Sequence, residues 1–326
     1  MISYVIIGGG WRAEFYLRIA ELVPDKFNVT AICVRNNDRA EYIKSKYNVK
    51  VFKTVEEALA CQFDFIVNCI NMDDISDFAV SLAYKGYYVL CETPIIAPPL
   101  PGHRYDKIQV AEQFHLKGTY QALKKVIDMG LIGDIVSMEI SVAHDYHAMS
   151  LMRFLLDDYE EPQKIYQHTI NGKVLMTNER IGELSEKKIE DNEQIIKIFK
   201  FSKATAIYNY MKEQYFSPIR KDRIVIRGTR GEIENSKVRY FNSNNEFVED
   251  EIKTVMSGLL DGLFYDKIIF EDNVLYNFLY KPARLSEEES AIADCLVKMY
   301  NYIKTGEELY PYKRGYEDYT YFLFEK

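Results

Sequence analysis

Ser3-Tyr4-Val5-Ile6-Ile7-Gly8-Gly9-Gly10-Trp11-Arg12-Ala13 decides the fold. An apolar β run meets three glycines, and helical spacing then continues from Trp11 to Leu22, where Pro24 stops it. Strand, glycine turn and helix in that order form the fingerprint of a dinucleotide-binding βαβ unit. Gly8 permits the tight turn, and Gly10 lets the backbone approach a pyrophosphate. Ala13 replaces the third glycine with another small residue and keeps helix packing close. The amides of Trp11 and Arg12, with the positive end of the helix dipole, complete an anion site. The competing reading is a purely structural turn in another α/β protein.

Downstream the pattern keeps alternating. Val29–Val34, Val49–Phe52, Phe63–Ile70 and Tyr87–Cys91 read as strands, and Asp38–Tyr47, Val55–Ala60 and Ile75–Tyr84 as helices, with Asp38 a plausible N-cap. Such alternation predicts a doubly wound parallel sheet, a Rossmann domain over 1–115. Ala97-Pro98-Pro99-Leu100-Pro101-Gly102 breaks it, because proline removes amide donors and fixes the backbone. A strand near Ile108–Ala111 closes the domain. The remainder, 116–326, opens with a helix at Thr119–Met129. Strand patterns follow at Ile135–Val142, Lys164–Ile170, Gln194–Phe201, Thr205–Met211, Asp222–Arg227 and Lys237–Phe241. Their partial alternation predicts an α+β domain with a large, mostly antiparallel sheet. Ser286–Ile303 reads as a helix with a capping box, Ser286 and Glu289, and is a candidate to pack back on the first domain.

The end of the second strand reports on the cofactor. Cys33-Val34-Arg35-Asn36-Asn37 has no acid before Asp38 to bind a ribose 2′-hydroxyl, whereas Arg35, assisted by Arg12, suits a 2′-phosphate. NADP is therefore favoured over NAD, with an idle exposed Arg35 as the alternative.

The bulk properties narrow the partners. A net charge of −8 over 326 residues argues against nucleic acid or an anionic membrane surface. No apolar run is long enough to span a bilayer, and no targeting segment precedes the first strand. Five cysteines, an odd number without metal spacing, point to a reduced cytoplasmic protein with no metal site. The 26 tyrosines suit sugar stacking, or reflect genome composition.

Cys91-Glu92-Thr93-Pro94, together with the glycine turn, resembles the Gfo/Idh/MocA oxidoreductases, the family of glucose-fructose oxidoreductase and inositol dehydrogenase. Gly86-Tyr87-Tyr88-Val89-Leu90, Lys124–Asp134 and Arg227-Gly228-Thr229-Arg230-Gly231-Glu232 extend the likeness over most of the chain. The resemblance implies that Glu92 contacts the cofactor ribose, that Pro94 shapes the turn through a cis bond, and that Asn71 faces the nicotinamide. It departs at Thr93, where the family has a lysine beside the reacting carbon. A threonine hydroxyl hydrogen-bonds but is a poor general acid or base. The segments after Pro94 and between Ile140 and His147 look shortened against the family.

Proton transfer then falls to His144-Asp145-Tyr146-His147-Ala148-Met149-Ser150. The family places His-x-x-Asp at a helix start; here His147 matches the histidine and Ser150 stands for the aspartate. Positions three apart share one helix face. His147 is the expected acid/base, with Thr93 and Tyr146 as hydrogen-bonding groups. The other reading makes His144 and His147 satisfied structural residues. The expected activity is hydride transfer between NAD(P) and a small hydroxyl- or carbonyl-bearing metabolite, such as a sugar derivative. The rival is a cofactor-binding regulator or pseudoenzyme. The half-covered second sheet predicts a homodimer or higher homo-oligomer.

Overall fold

The computed structural model describes residues 1–179, 182–260 and 262–323. Its first elements are β1 (Ile2–Ile7), α1 (Trp11–Leu22), β2 (Phe27–Cys33), α2 (Asn37–Lys46), β3 (Val51–Phe52), α3 (Val55–Leu59), β4 (Phe65–Asn68), α4 (Met72–Tyr84), β5 (Val89–Cys91) and β6 (Ile108–Val110). The strands form one parallel sheet in the order β3-β2-β1-β4-β5-β6, the Rossmann order. Their continuous apolar runs follow from helices covering both faces: Ile6, Val67 and Leu90 are wholly buried. Buried Tyr4 donates its hydroxyl to the Tyr16 carbonyl at 2.8 Å. At α2 the cap is Asn36 rather than Asp38, its side chain accepting the Arg39 amide at 2.9 Å. The helix begins one residue before Asp38, so that acid sits inside the first turn, where it complements the dipole.

A 3-10 turn at Phe114–Leu116 leads to α5 (Gly118–Asp128), β7 (Ile135–Ser141), α6 (Asp145–Leu156), β8 (Gln163–Glu179), β9 (Gly182–Lys200), β10 (Thr205–Met211), β11 (Arg223–Gly228), β12 (Gly231–Glu234), β13 (Lys237–Phe241) and β14 (Phe247–Glu251). These eight strands form a second sheet, β14-β13-β12-β11-β7-β10-β9-β8, antiparallel except between β7 and β10. The expected fold class holds. β8 and β9 are far longer than their apolar patterns, at 17 and 19 residues. β10 pairs with β9 only over Gln194–Lys200, and beyond it β8 and β9 pair with each other. A ribbon largely exposed on both faces needs no apolar alternation, which is why its length escapes pattern reading.

The chain then gives β15 (Lys253–Leu259), β16 (Gly262–Phe270) and β17 (Asn273–Asn277), a three-stranded sheet, followed by α7 (Glu287–Thr305) and α8 (Tyr312–Leu323). The capping box of α7 is as expected: the Glu289 amide donates to Ser286 Oγ at 3.1 Å, and the Ser286 amide to Glu289 Oε2 at 2.7 Å. The protein divides into two compact units. Unit 1 comprises Met1–Gly118, Val255–Asp266 and Asn277–Lys326, and unit 2 comprises Thr119–Thr254 and Lys267–Tyr276. This differs from the contiguous division at 115/116, because α7 buries Ala291, Cys295, Leu296 and Met299 in the core of unit 1. Among the described residues no helix is long and apolar enough to cross a membrane.

Candidate functional site

The register of the parallel sheet brings one set of residues to a common edge. Ile7 lies opposite Cys33 and Asn68, and Asn68 opposite Cys91. The residues that follow these strand ends, Gly8, Arg35, Asn71 and Glu92-Thr93-Pro94, therefore share the carboxyl side of the sheet. That is the side on which such sheets bind ligands. Gly8 has φ +115°, and a Cβ there would stand 2.5 Å from the Cys69 carbonyl oxygen. Gly10 differs: a Cβ would meet nothing within 4 Å. Gly10 also caps α1 without any side-chain bond to the helix amides. An open approach and a helix start without a side-chain cap fit a dinucleotide pyrophosphate. Ala13 is wholly buried beneath the turn, and Trp11 is exposed with its ring edge-on to Phe15 at 4.6 Å.

Arg12 points to carboxylates. Its Nε lies 3.5 Å from Glu92, and its Nη1 donates to Glu288 on α7 at 3.0 Å. Glu92 is buried and also accepts the Tyr16 hydroxyl. Burial pushes the Glu92 carboxyl up, against the opposing pull of Arg12 and the bond from Tyr16. The same Glu92 charge, after burial itself, pushes Tyr16 well above the ordinary phenol range. The Thr93–Pro94 peptide is cis, Pro94 is buried and Thr93 half-buried. Asn71 is exposed at the cap of α4, donating to Asp74 at 2.9 Å.

Across the glycine turn, Arg39 of α2 donates to the Gly9 carbonyl at 2.5 Å and to Glu14 at 2.5 Å. Burial alone pushes Glu14 up, but the bonds from Arg39 and Lys46 outweigh it and bring the carboxyl to about 2. Arg35 is exposed at the end of β2.

Unit 2 carries the other expected residues. α6 begins at Asp145, two positions before the expected start, so His147 lies within its first turn and His144 is its cap. Asp145 has φ 44°, a backbone state that is strained for a non-glycine residue. Its amide donates to the Tyr208 hydroxyl at 3.1 Å. His144 packs against the rings of Tyr146, His147 and Tyr215 at 5.5, 5.1 and 5.5 Å, and Tyr146 stands 4.3 Å from His147. His147 and Ser150 are both buried on α6, and Ser150 Oγ has no hydrogen-bond partner among the described residues. Burial, then Asp145, pushes the Tyr208 phenol above its usual range, and burial, then Asp222, does the same to Tyr210. These phenols stay neutral and can serve as hydrogen-bonding groups.

Several residues lay beyond sequence reasoning. Tyr208 and Tyr210 had a signal, since Thr205–Met211 alternates and Ala206, Tyr208 and Tyr210 share the buried face. Arg39, Tyr215 and Glu288 had none, because only the folded chain brings them to their partners.

Residues 2–108 match the Gfo/Idh/MocA family, described as an oxidoreductase family with an NAD-binding Rossmann fold. The expected resemblance therefore holds. Among solved structures, an oxidoreductase from Agrobacterium radiobacter in complex with NAD+, L-tartaric acid and magnesium is 15% identical with a TM-score of 0.63, covering 98% of this chain and 93% of that one. A myo-inositol dehydrogenase from Corynebacterium glutamicum is 11% identical with a TM-score of 0.59, covering 98% and 94%. Levoglucosan dehydrogenase in complex with NADH and levoglucosan is 13% identical with a TM-score of 0.64, with the same coverage. No curated protein matches the sequence.

Proposed function

We propose that this chain, which carries a Gfo/Idh/MocA-type NAD-binding Rossmann domain at residues 2–108, is an NAD(P)-dependent oxidoreductase. Its substrate is a small hydroxyl- or carbonyl-bearing metabolite of the sugar or polyol class. One observation carries the reading: Gly8, Gly10 and the uncapped start of α1 share the carboxyl edge of the sheet with Glu92-Thr93-Pro94. The bound nicotinamide supplies the hydride chemistry. The chain's own residues hold and orient the nucleotide and handle a proton.

His147 is the proposed acid/base, because a threonine at 93 leaves the role of the family lysine unfilled. Thr93 and Tyr146 are the proposed hydrogen-bonding groups. Asn71 meets the nicotinamide side. The buried neutral phenols Tyr208 and Tyr210 suit a substrate rich in hydroxyls. The myo-inositol and levoglucosan dehydrogenases among the structural neighbours support that class. NADP is preferred through Arg35. Arg12, engaged by two carboxylates, contributes less to that choice than the sequence suggested.

The protein acts in the cytoplasm, in keeping with five free cysteines. It assembles as a homo-oligomer through the second sheet, whose edge strand β8 exposes Ile165, Tyr166 and Ile170. A light-scattering mass equal to one chain at micromolar concentration overturns the assembly.

The activity is tested by titrating NADPH and NADH against nicotinamide fluorescence, then following the nicotinamide absorbance over a panel of sugars and polyols. Turnover on one of them is expected. Replacing His147 by alanine then lowers kcat by about 100-fold. Tight binding without turnover across the panel replaces the enzyme with a cofactor-sensing regulator.

A further inference from the structure

Glu288 gathers an unusual set of partners for a residue in the first turn of a helix. Its Oε1 accepts from Arg12 Nη1 at 3.0 Å and from Gln113 Nε2 at 3.3 Å, and its Oε2 lies 3.8 Å from Lys117 Nζ. All four residues belong to unit 1. Arg12 is the second residue of α1, two positions beyond Gly10. Its side chain is only 21% exposed, and its guanidinium lies over the rings of Trp11 and Phe15, at 5.1 and 5.0 Å. A cation so far out of water needs carboxylate partners. Glu92 supplies one at 3.5 Å and Glu288 the closer one. With Lys117 included, two cationic side chains meet the carboxylates of Glu92 and Glu288.

We infer that Glu288 is a positioning residue for the pyrophosphate-binding turn, acting through Arg12. This rests on the reading of the glycine turn as a dinucleotide site. A pyrophosphate is held there by backbone amides, and amides give affinity only when the helix start is presented at a set angle. Gly10 supplies no side-chain cap to fix that angle. The Arg12–Glu288 bond fixes it by tying the first turn of α1 to the first turn of α7. A second tie, Arg18 to Glu289 at 2.5 Å, joins the same two helices further along α1. Glu288 also keeps the Arg12 charge from the phosphates, so the turn's own share of the affinity comes from the amides and is the same with and without a 2′-phosphate.

The test compares Glu288→Gln and Glu288→Asp with the unmodified protein, reading NADH and NADPH binding by nicotinamide fluorescence and folding by thermal unfolding. Glu288→Gln is expected to raise both dissociation constants by about tenfold and by the same factor, and Glu288→Asp to recover part of the loss. With a substrate in hand, kcat at saturating nucleotide stays at the unmodified value while the nucleotide KM rises. Unchanged or tighter binding by Glu288→Gln overturns the inference, as does a loss confined to NADPH. Should Glu288→Gln fail to fold, Gln113→Leu, which removes one donor from the same carboxylate, must weaken both nucleotides in parallel. If it does not, the inference falls. An unmodified protein that binds neither nucleotide overturns the dinucleotide reading instead.

Discussion

The glycine-turn edge of unit 1 and the α6 cluster of unit 2 bury polar groups in opposite ways. At the first, charge meets charge: Arg12 with Glu92 and Glu288, and Arg39 with Glu14. At the second, hydroxyls rather than ion pairs surround the start of the helix: Tyr208 accepts the Asp145 amide, and Ser150 Oγ has no hydrogen-bond partner among the described residues. Paired charges hold a backbone in one arrangement, because breaking one pair strands its partner in a poor solvent. Neutral hydroxyls cost less to leave open and remain available to a ligand. The contrast teaches that the edge is built as a rigid platform and the cluster as an adaptable surface.

The sharpest way to break the comparison uses two glycines of one turn. Gly8→Ala is expected to cost about 3 kcal/mol in thermal unfolding, because its backbone is left-handed and its Cβ has no room. Gly10→Ala should leave the unfolding midpoint near that of the unmodified protein yet abolish nucleotide binding, since its Cβ points into open space. If Gly10→Ala binds NADH and NADPH normally, the edge is not a pyrophosphate platform.

Acid should loosen that platform next. Glu14 is held at about 2 in the fold, against an ordinary 4.5, so its stabilising share is complete above pH 4.5 and vanishes as pH falls towards 2. Unfolding free energy followed over that range should fall by roughly 2 kcal/mol more in the unmodified protein than in Glu14→Gln. Equal slopes would show that the Arg39–Glu14 pairing contributes little.

For unit 2 the comparison predicts the reverse sign. Ser150→Ala removes a buried hydroxyl that no group satisfies and should raise stability by about 1 kcal/mol in denaturant unfolding. A loss of stability would mean that the cluster is as tightly paired as the edge. The smallest effect is expected at Arg35, exposed at the strand end. Arg35→Ala should weaken NADPH relative to NADH by about fivefold in paired titrations.

Much of unit 1 was legible because its signals are local. Trp11–Leu22 reads as a helix and is one, and the Ser286–Glu289 capping box needs only four residues to be seen. Asp38 shows the grain of that reading: the helix start was clear, and the choice between Asn36 and Asp38 as cap rested on one hydrogen bond. The long β8–β9 ribbon was not legible, since Lys187, Lys188 and Glu190 carry charge where a half-buried strand alternates. α8 was missed too. Its helical face is built largely from tyrosines, Tyr312, Tyr316 and Tyr319, which are half polar and blur a hydrophobic period.

The sequence by itself determined the Rossmann unit, the family likeness and the identity of the turn glycines. Those follow from periodicity and from backbone states that few residues adopt. Only the tertiary structure decided the partners of the charged groups: that Arg12 faces Glu92 and Glu288, that Arg39 grips the Gly9 carbonyl, and that α7 belongs with α1. Arg12 and Glu288 are 276 residues apart in the chain. Such pairings depend on loop closure and on which faces are left to bury, and neither is written in a local window.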